Sequence, residues 1–177
     1  MLYYCWISFK ILRGNVVCML QMLYDEEVLA GVKKMARESR RRRYARSFSE
    51  PGDRVQVMLN AVEPDSYVRP HKHECPDKLE IVQAVCGRIA VVCYDDDGGV
   101  VRVVVSDCSS RDNVVSILKG TWHSMVSLES GSVMLEILEG PYDSKTHKKF
   151  AEWSPEEYTE GAVGFLEDLR SKIESVE

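Results

Sequence analysis

The chain has 177 residues, 45% hydrophobic and 29% charged, with a net charge of −5. That suits one domain with a sizeable core and argues against two full domains. The average hides a split: residues 33–46 carry eight Lys or Arg against Glu38, a net +7 that leaves −12 on the rest. The body should therefore repel nucleic acid and membrane surfaces while one patch attracts anions.

Residues 1–20 are apolar but interrupted by Lys10, Arg13, Gly14 and Asn15. They lack a basic start and are too short to cross a bilayer, so a start upstream of the true one, at Met19 or Met22, competes with targeting. The cysteines (Cys5, Cys18, Cys75, Cys86, Cys93, Cys108) form no CxxC pair and read as reduced thiols of a cytoplasmic protein. Asp25 can cap a helix whose stripe is Val28, Leu29, Val32, Met35 and Ala36. It runs into Arg40–Arg43, read as a solvated helix end, a phosphate-binding lip, or a clamp on an acidic partner subunit.

From Arg54 the texture changes to short β-rich runs: 55–62, 79–86, 88–94, 100–106, 114–118, 123–128 and 132–138. Turn residues punctuate them, and no helix intervenes, so the pattern indicates a barrel or sandwich. After Pro141 the strand pattern stops. Ser154-Pro155-Glu156-Glu157 predicts a helix start, and Phe165, Leu169 and Ile173 predict a second stretch packed on the barrel. The expected organisation is an N-terminal extension and helix over 1–50, a β-barrel over 51–143, and a helical segment over 144–177.

Three of the four histidines lie in two motifs, Arg69-Pro70-His71-Lys72-His73 with Glu80 and Gly87 downstream, and Gly120-Thr121-Trp122-His123. Alternate side chains of a strand share a face, so His71 and His73 can offer two imidazoles to one point. Glu80 and His123, from neighbouring strands, could complete a set of three nitrogens and one carboxylate, suited to zinc, iron, manganese or nickel. Glu74 and Cys75 remain alternatives to Glu80. His147, in a basic surface segment, reads as no ligand.

These motifs resemble those of the cupin superfamily. Residues from about 37 to 157 are similar, more narrowly, to the WbuC-type cupin-fold metalloproteins. The likeness is carried by Arg54–Asn60, Tyr67-Val68-Arg69-Pro70-His71-Lys72-His73, Pro76-Asp77-Lys78 and Gly120-Thr121-Trp122-His123. It continues through Glu136, Gly140-Pro141-Tyr142, and Phe150-Ala151 with Trp153, Pro155 and Glu157. The resemblance implies a mainly β fold, the double-stranded β-helix or jelly roll. It also implies a metal held by His71, His73, Glu80 and His123, and an association with bacterial surface-polysaccharide gene clusters. Two departures stand out: six residues separate His73 from Glu80 where three or four are usual, and Ser127 replaces a frequent asparagine.

Strand parity extends the site. Tyr67 and Arg69 share the direction of His71 and His73, Lys78 lies beside Glu80, and Gln56, Met58 and Asn60 share a wall. Cations at Arg69 and Lys78 would favour an anionic or oxygen-rich substrate; alternatively Arg69 pairs with Glu136. The leading expectation is a metal-binding cupin for a small polar, sugar-derived or anionic metabolite. Its metal would act as a Lewis acid while Glu136 or Tyr67 moves a proton, giving isomerase or epimerase chemistry. An iron dioxygenase and a non-catalytic sensor module are the rivals. A homodimer is expected, with no nucleic-acid or membrane partner.

Overall fold

The Asp25 carboxylate accepts the Val28 amide at 2.8 Å and caps α1 (Glu26–Glu38), worth about 1 kcal/mol. The computed structural model describes residues 22–175; the readings placed on residues 1–20, with Cys5 and Cys18, fall outside them. Leu29, Val32 and Ala36 bury the helix stripe against Leu59, Ala61 and Val133. Met35, at the margin of that stripe, stays 46% exposed. The helix ends at Ser39, whose hydroxyl donates to the Ala36 and Arg43 carbonyls.

The strands are β1 (Arg43–Ser47), β2 (Val55–Val62), β3 (His71–Lys72), β4 (Glu80–Cys86) and β5 (Arg88–Tyr94), then β6 (Val100–Asp107), β7 (Val114–Ile117), β8 (Trp122–Ser127), β9 (Ser132–Glu139) and β10 (Lys149–Phe150). Every run read from alternation is a strand, displaced by at most one residue at either end. Strands β1, β3 and β10 escaped that reading. β1 is rich in arginine, and β3 and β10 are two residues each, too short to show a period.

Two five-stranded sheets result, ordered β1-β2-β9-β4-β7 and β10-β3-β8-β5-β6, with antiparallel pairing throughout. This is the jelly-roll architecture expected. Both flanking segments join it, since β1 pairs with β2 and β10 with β3. Alternation sends Val62, Val82, Ile89, Val91, Ile117, Met125 and Met134 between the sheets as the inner core. At the β4–β5 turn Gly87 has φ +69°, and a Cβ there would meet Ser132 Oγ at 2.5 Å, so only glycine fits.

The C-terminal helix departs from expectation. Ser154 does not cap it: its hydroxyl donates to the Ala151 carbonyl at 2.7 Å and accepts from Arg69 Nε at 3.1 Å. Glu157 is likewise diverted, to Arg41 and Arg43. The helix α2 (Glu160–Glu174) starts later, capped by Thr159 Oγ1 accepting the Ala162 amide. It lays Leu166, Leu169 and Ile173 on Ala90, Val92, Tyr94 and Val126, the outer face of the second sheet.

Candidate metal centre

The pairing His71↔His123 between β3 and β8 sets two imidazoles side by side, and β4 faces them with Glu80 from the other sheet. His71, His73 and His123 are all buried, with ring nitrogens within 4.8 Å of one another, close enough to hold a metal. Each ring is anchored through Nδ1 to a backbone carbonyl: His71 to Arg69 at 2.9 Å, His123 to Thr121 at 2.9 Å, and His73 to His147. Such bonds fix the tautomer with the proton on Nδ1, leaving the Nε2 lone pairs free.

The Glu80 carboxylate oxygen lies 3.2 Å from His73 Nε2 and 3.3 Å from His123 Nε2. A lone pair facing an anionic oxygen at that range is repulsive unless a cation intervenes. Burial first, then the Lys148 charge, holds the His71 imidazole well below its usual range. Among the described residues His123 Nε2 is a buried nitrogen with no hydrogen-bond partner. An orphaned buried acceptor, three anchored rings and one carboxylate fit a divalent ion of the zinc, iron, manganese or nickel kind.

Glu74 and Cys75 turn away. Glu74 pairs with Lys72 at 3.2 Å and Lys149 at 2.7 Å, and Cys75 is an exposed free thiol. The other described cysteines, Cys86, Cys93 and Cys108, are also free.

The remaining sequence candidates separate into two groups. Glu136 and Asn60 come together inside the barrel, Asn60 Nδ2 donating to Glu136 Oε2 at 2.7 Å. Burial, then the nearby Glu80 charge, pushes the Glu136 carboxyl up to about 8. Gln56 is buried on the same strand but spends its amide on the Glu50 and Asp53 carbonyls. Lys78 is buried too, its ammonium donating to the Pro141 carbonyl, and burial lowers its pKa.

Tyr67 and Arg69 go elsewhere. Residues 67–70 precede the short β3 and are not strand, so the two-residue alternation that would aim them at the metal does not operate there. Arg69 ties down the C-terminal segment through Ser154 and the Ala151 carbonyl, not through Glu136. The Tyr67 hydroxyl donates to the Pro155 carbonyl at 3.0 Å and its ring packs on Phe165 outside the barrel; burial pushes its phenol up to about 12.

Two contributors were not visible in the sequence. His147 supplies a backbone carbonyl to His73 and stacks its ring 4.8 Å from it; a main-chain acceptor leaves no sequence signal. Lys148, though exposed as a residue, carries a charge that interacts with Glu136 and Glu80. Burial lowers its pKa while those carboxylates oppose the shift.

Comparison with known proteins agrees on the fold. A family model described as a domain of unknown function, DUF6016, matches residues 24–105, taking in His71, His73 and Glu80 but ending before His123. No curated protein matches the chain. Among solved structures, CapF with the inhibitor 3-isopropenyl-tropolone is 21% identical at a TM-score of 0.52. CapF from Staphylococcus aureus, a capsular polysaccharide assembling protein, is 20% identical at 0.52. Each alignment covers 61% of this chain, which spans 31% or 30% of CapF. Oxalate decarboxylase from Bacillus subtilis is 20% identical at 0.47, over 61% of this chain and 28% of that one. The likeness establishes a cupin fold. No helix among the described residues is long and apolar enough to cross a membrane.

Proposed function

We propose that the protein is a metal-dependent cupin that binds a small, oxygen-bearing anionic metabolite between its sheets and catalyses proton transfer on it. The observation that carries this is the cluster of three buried imidazoles within 4.8 Å, each set by an Nδ1–carbonyl bond, with the Glu80 oxygen against the Nε2 atoms of His73 and His123. A divalent ion held by His71, His73, His123 and Glu80 supplies Lewis-acid polarisation of a carbonyl or hydroxyl oxygen. Glu136, buried and held protonated near neutrality, is the group that gives or takes the proton. Asn60 fixes one Glu136 oxygen, leaving the other for substrate.

The narrower kinship with WbuC-type proteins, and a sugar-derived substrate on the way to surface polysaccharide, belong to the same proposal. CapF supports the polysaccharide link by its own role alone. Elemental analysis of the purified protein should find close to one divalent ion per chain, and the double variant His71→Ala/His123→Ala should carry none. Full occupancy in that variant sinks the reading. Oxygen uptake on addition of a chelating substrate would turn the isomerase reading into an oxygenase one.

A further inference from the structure

A cleft meets the metal centre from the side. It encloses about 390 Å³ and is lined by Val91, Cys93, Arg102, Val104, Thr121 and His123, with the β7 residues 114–117 and Leu118 opposite. It opens between β6 and β7, the edge strands of the two sheets at that end. Strand register explains why Arg102 reaches into it. Cys93 pairs with His123 on one side and with Arg102 on the other. His123, Cys93 and Arg102 therefore form one row on one face of three adjacent strands. Two strand spacings put Arg102 roughly 10 Å from His123 across the sheet, a gap that a long guanidinium stem and a short ligand can bridge.

Arg102 is the one charged residue among those lining the cleft, apart from the titratable His123. Among the described residues it has no ion-pair partner. Arg41, Arg42 and Arg43, by contrast, are held by Glu157 or Asp65. The rest of the wall is mostly valine, isoleucine and leucine, with only Cys93, Ser116 and Thr121 to offer neutral polar atoms. Such a wall does not solvate a sugar ring, whose hydroxyls would be left unpaired. It suits a branched hydrocarbon. One guanidinium matches one carboxylate bidentately. The volume lies toward the lower end of small-molecule sites.

We propose that Arg102 recognises the anionic end of the substrate, and that the substrate is a short carboxylate with a branched apolar remainder. This rests on the metal-centred reading above and, among the anionic metabolites that reading admits, selects a short branched carboxylate over a sugar derivative. The test is titration calorimetry on the metal-loaded protein with 4-methyl-2-oxopentanoate, its neutral amide and glucose 6-phosphate. Wild type should bind the acid at least about tenfold tighter than the amide, as one charge-assisted contact allows, and tighter than the sugar phosphate. Arg102→Met should erase the acid-to-amide ratio with metal content unchanged, and Arg102→Lys should restore part of it. A ratio that persists in Arg102→Met overturns the inference, as does tighter binding of glucose 6-phosphate. If metal-free wild type binds the acid as tightly as the loaded protein, the metal-centred reading fails while the Arg102 assignment stands. If stripping the metal abolishes binding but Arg102→Met leaves it intact, only the Arg102 assignment fails.

Discussion

The arginine turn and the histidine centre are the two charge-dense places in this molecule, and they are finished differently. At the turn, Arg41 and Arg43 converge on Glu157 at 2.8 Å and 2.5 Å, Arg42 pairs with Asp65 at 2.8 Å, and Arg40 lies 4.1 Å over the Tyr158 ring. Its charge is answered by the chain itself. At the centre, the His73 and His123 rings face the Glu80 carboxylate, and among the described residues His123 Nε2 has no hydrogen-bond partner. A cluster that balances itself pins one segment to another; one that is built but left incomplete waits for something from outside. The run of arginines was the louder signal in the sequence, and within the chain it holds the 151–159 segment against the body.

Substitutions can test that contrast, beginning with the largest effect. Glu80→Gln should weaken metal affinity by about 100-fold or more, since it removes a ligand, whereas Glu74→Gln should leave it within about threefold. A calorimetric titration giving the reverse order would move the carboxylate ligand to Glu74. Glu157→Gln should cost about 1–3 kcal/mol in denaturant unfolding, because it strands two arginines, with Arg43 only 15% exposed. Metal content should not change; if it falls, the two regions are not independent.

The Glu136 prediction is a matter of sign. Its folded pKa is raised to about 8, above an unfolded value near 4.3, so the folded state binds the proton more tightly. The metal-free protein should therefore lose stability as pH rises from about 4.5 to 8, and Glu136→Gln should flatten that slope. An unchanged slope in the variant would remove Glu136 from the proton-handling role. The smallest effect belongs to Asp65→Asn, which breaks an exposed pair and should shift stability by no more than about 0.5 kcal/mol.

The sequence revealed most where a period was long enough to count. β2, β5 and β9 were found as β-rich runs between turn residues, and the four ligand candidates came from two short motifs plus the position of Glu80 before Gly87. What it hid was set by distant partners. Ser154-Pro155-Glu156-Glu157 has every local feature of a helix start, but Arg69 and Arg41 claim its serine and glutamate. Tyr67 and Arg69 have the right parity for the metal, but parity holds only inside a strand and β3 begins at His71. Arg102 carried no signal in the sequence, because only the pairing with Cys93 places it in line with His123.

One hydrogen bond also sets an order of events in time. The His73 ring is held by the His147 carbonyl, 74 residues further along the chain. A nascent chain that has reached residue 140 already contains all four ligands, but nothing yet to turn His73 to its place. Closing so long a loop comes late, after the local hairpins have formed. Tight metal capture should thus mark the end of folding rather than nucleate it. A ribosome-bound or truncated chain lacking the last 35 or so residues should scavenge metal only loosely.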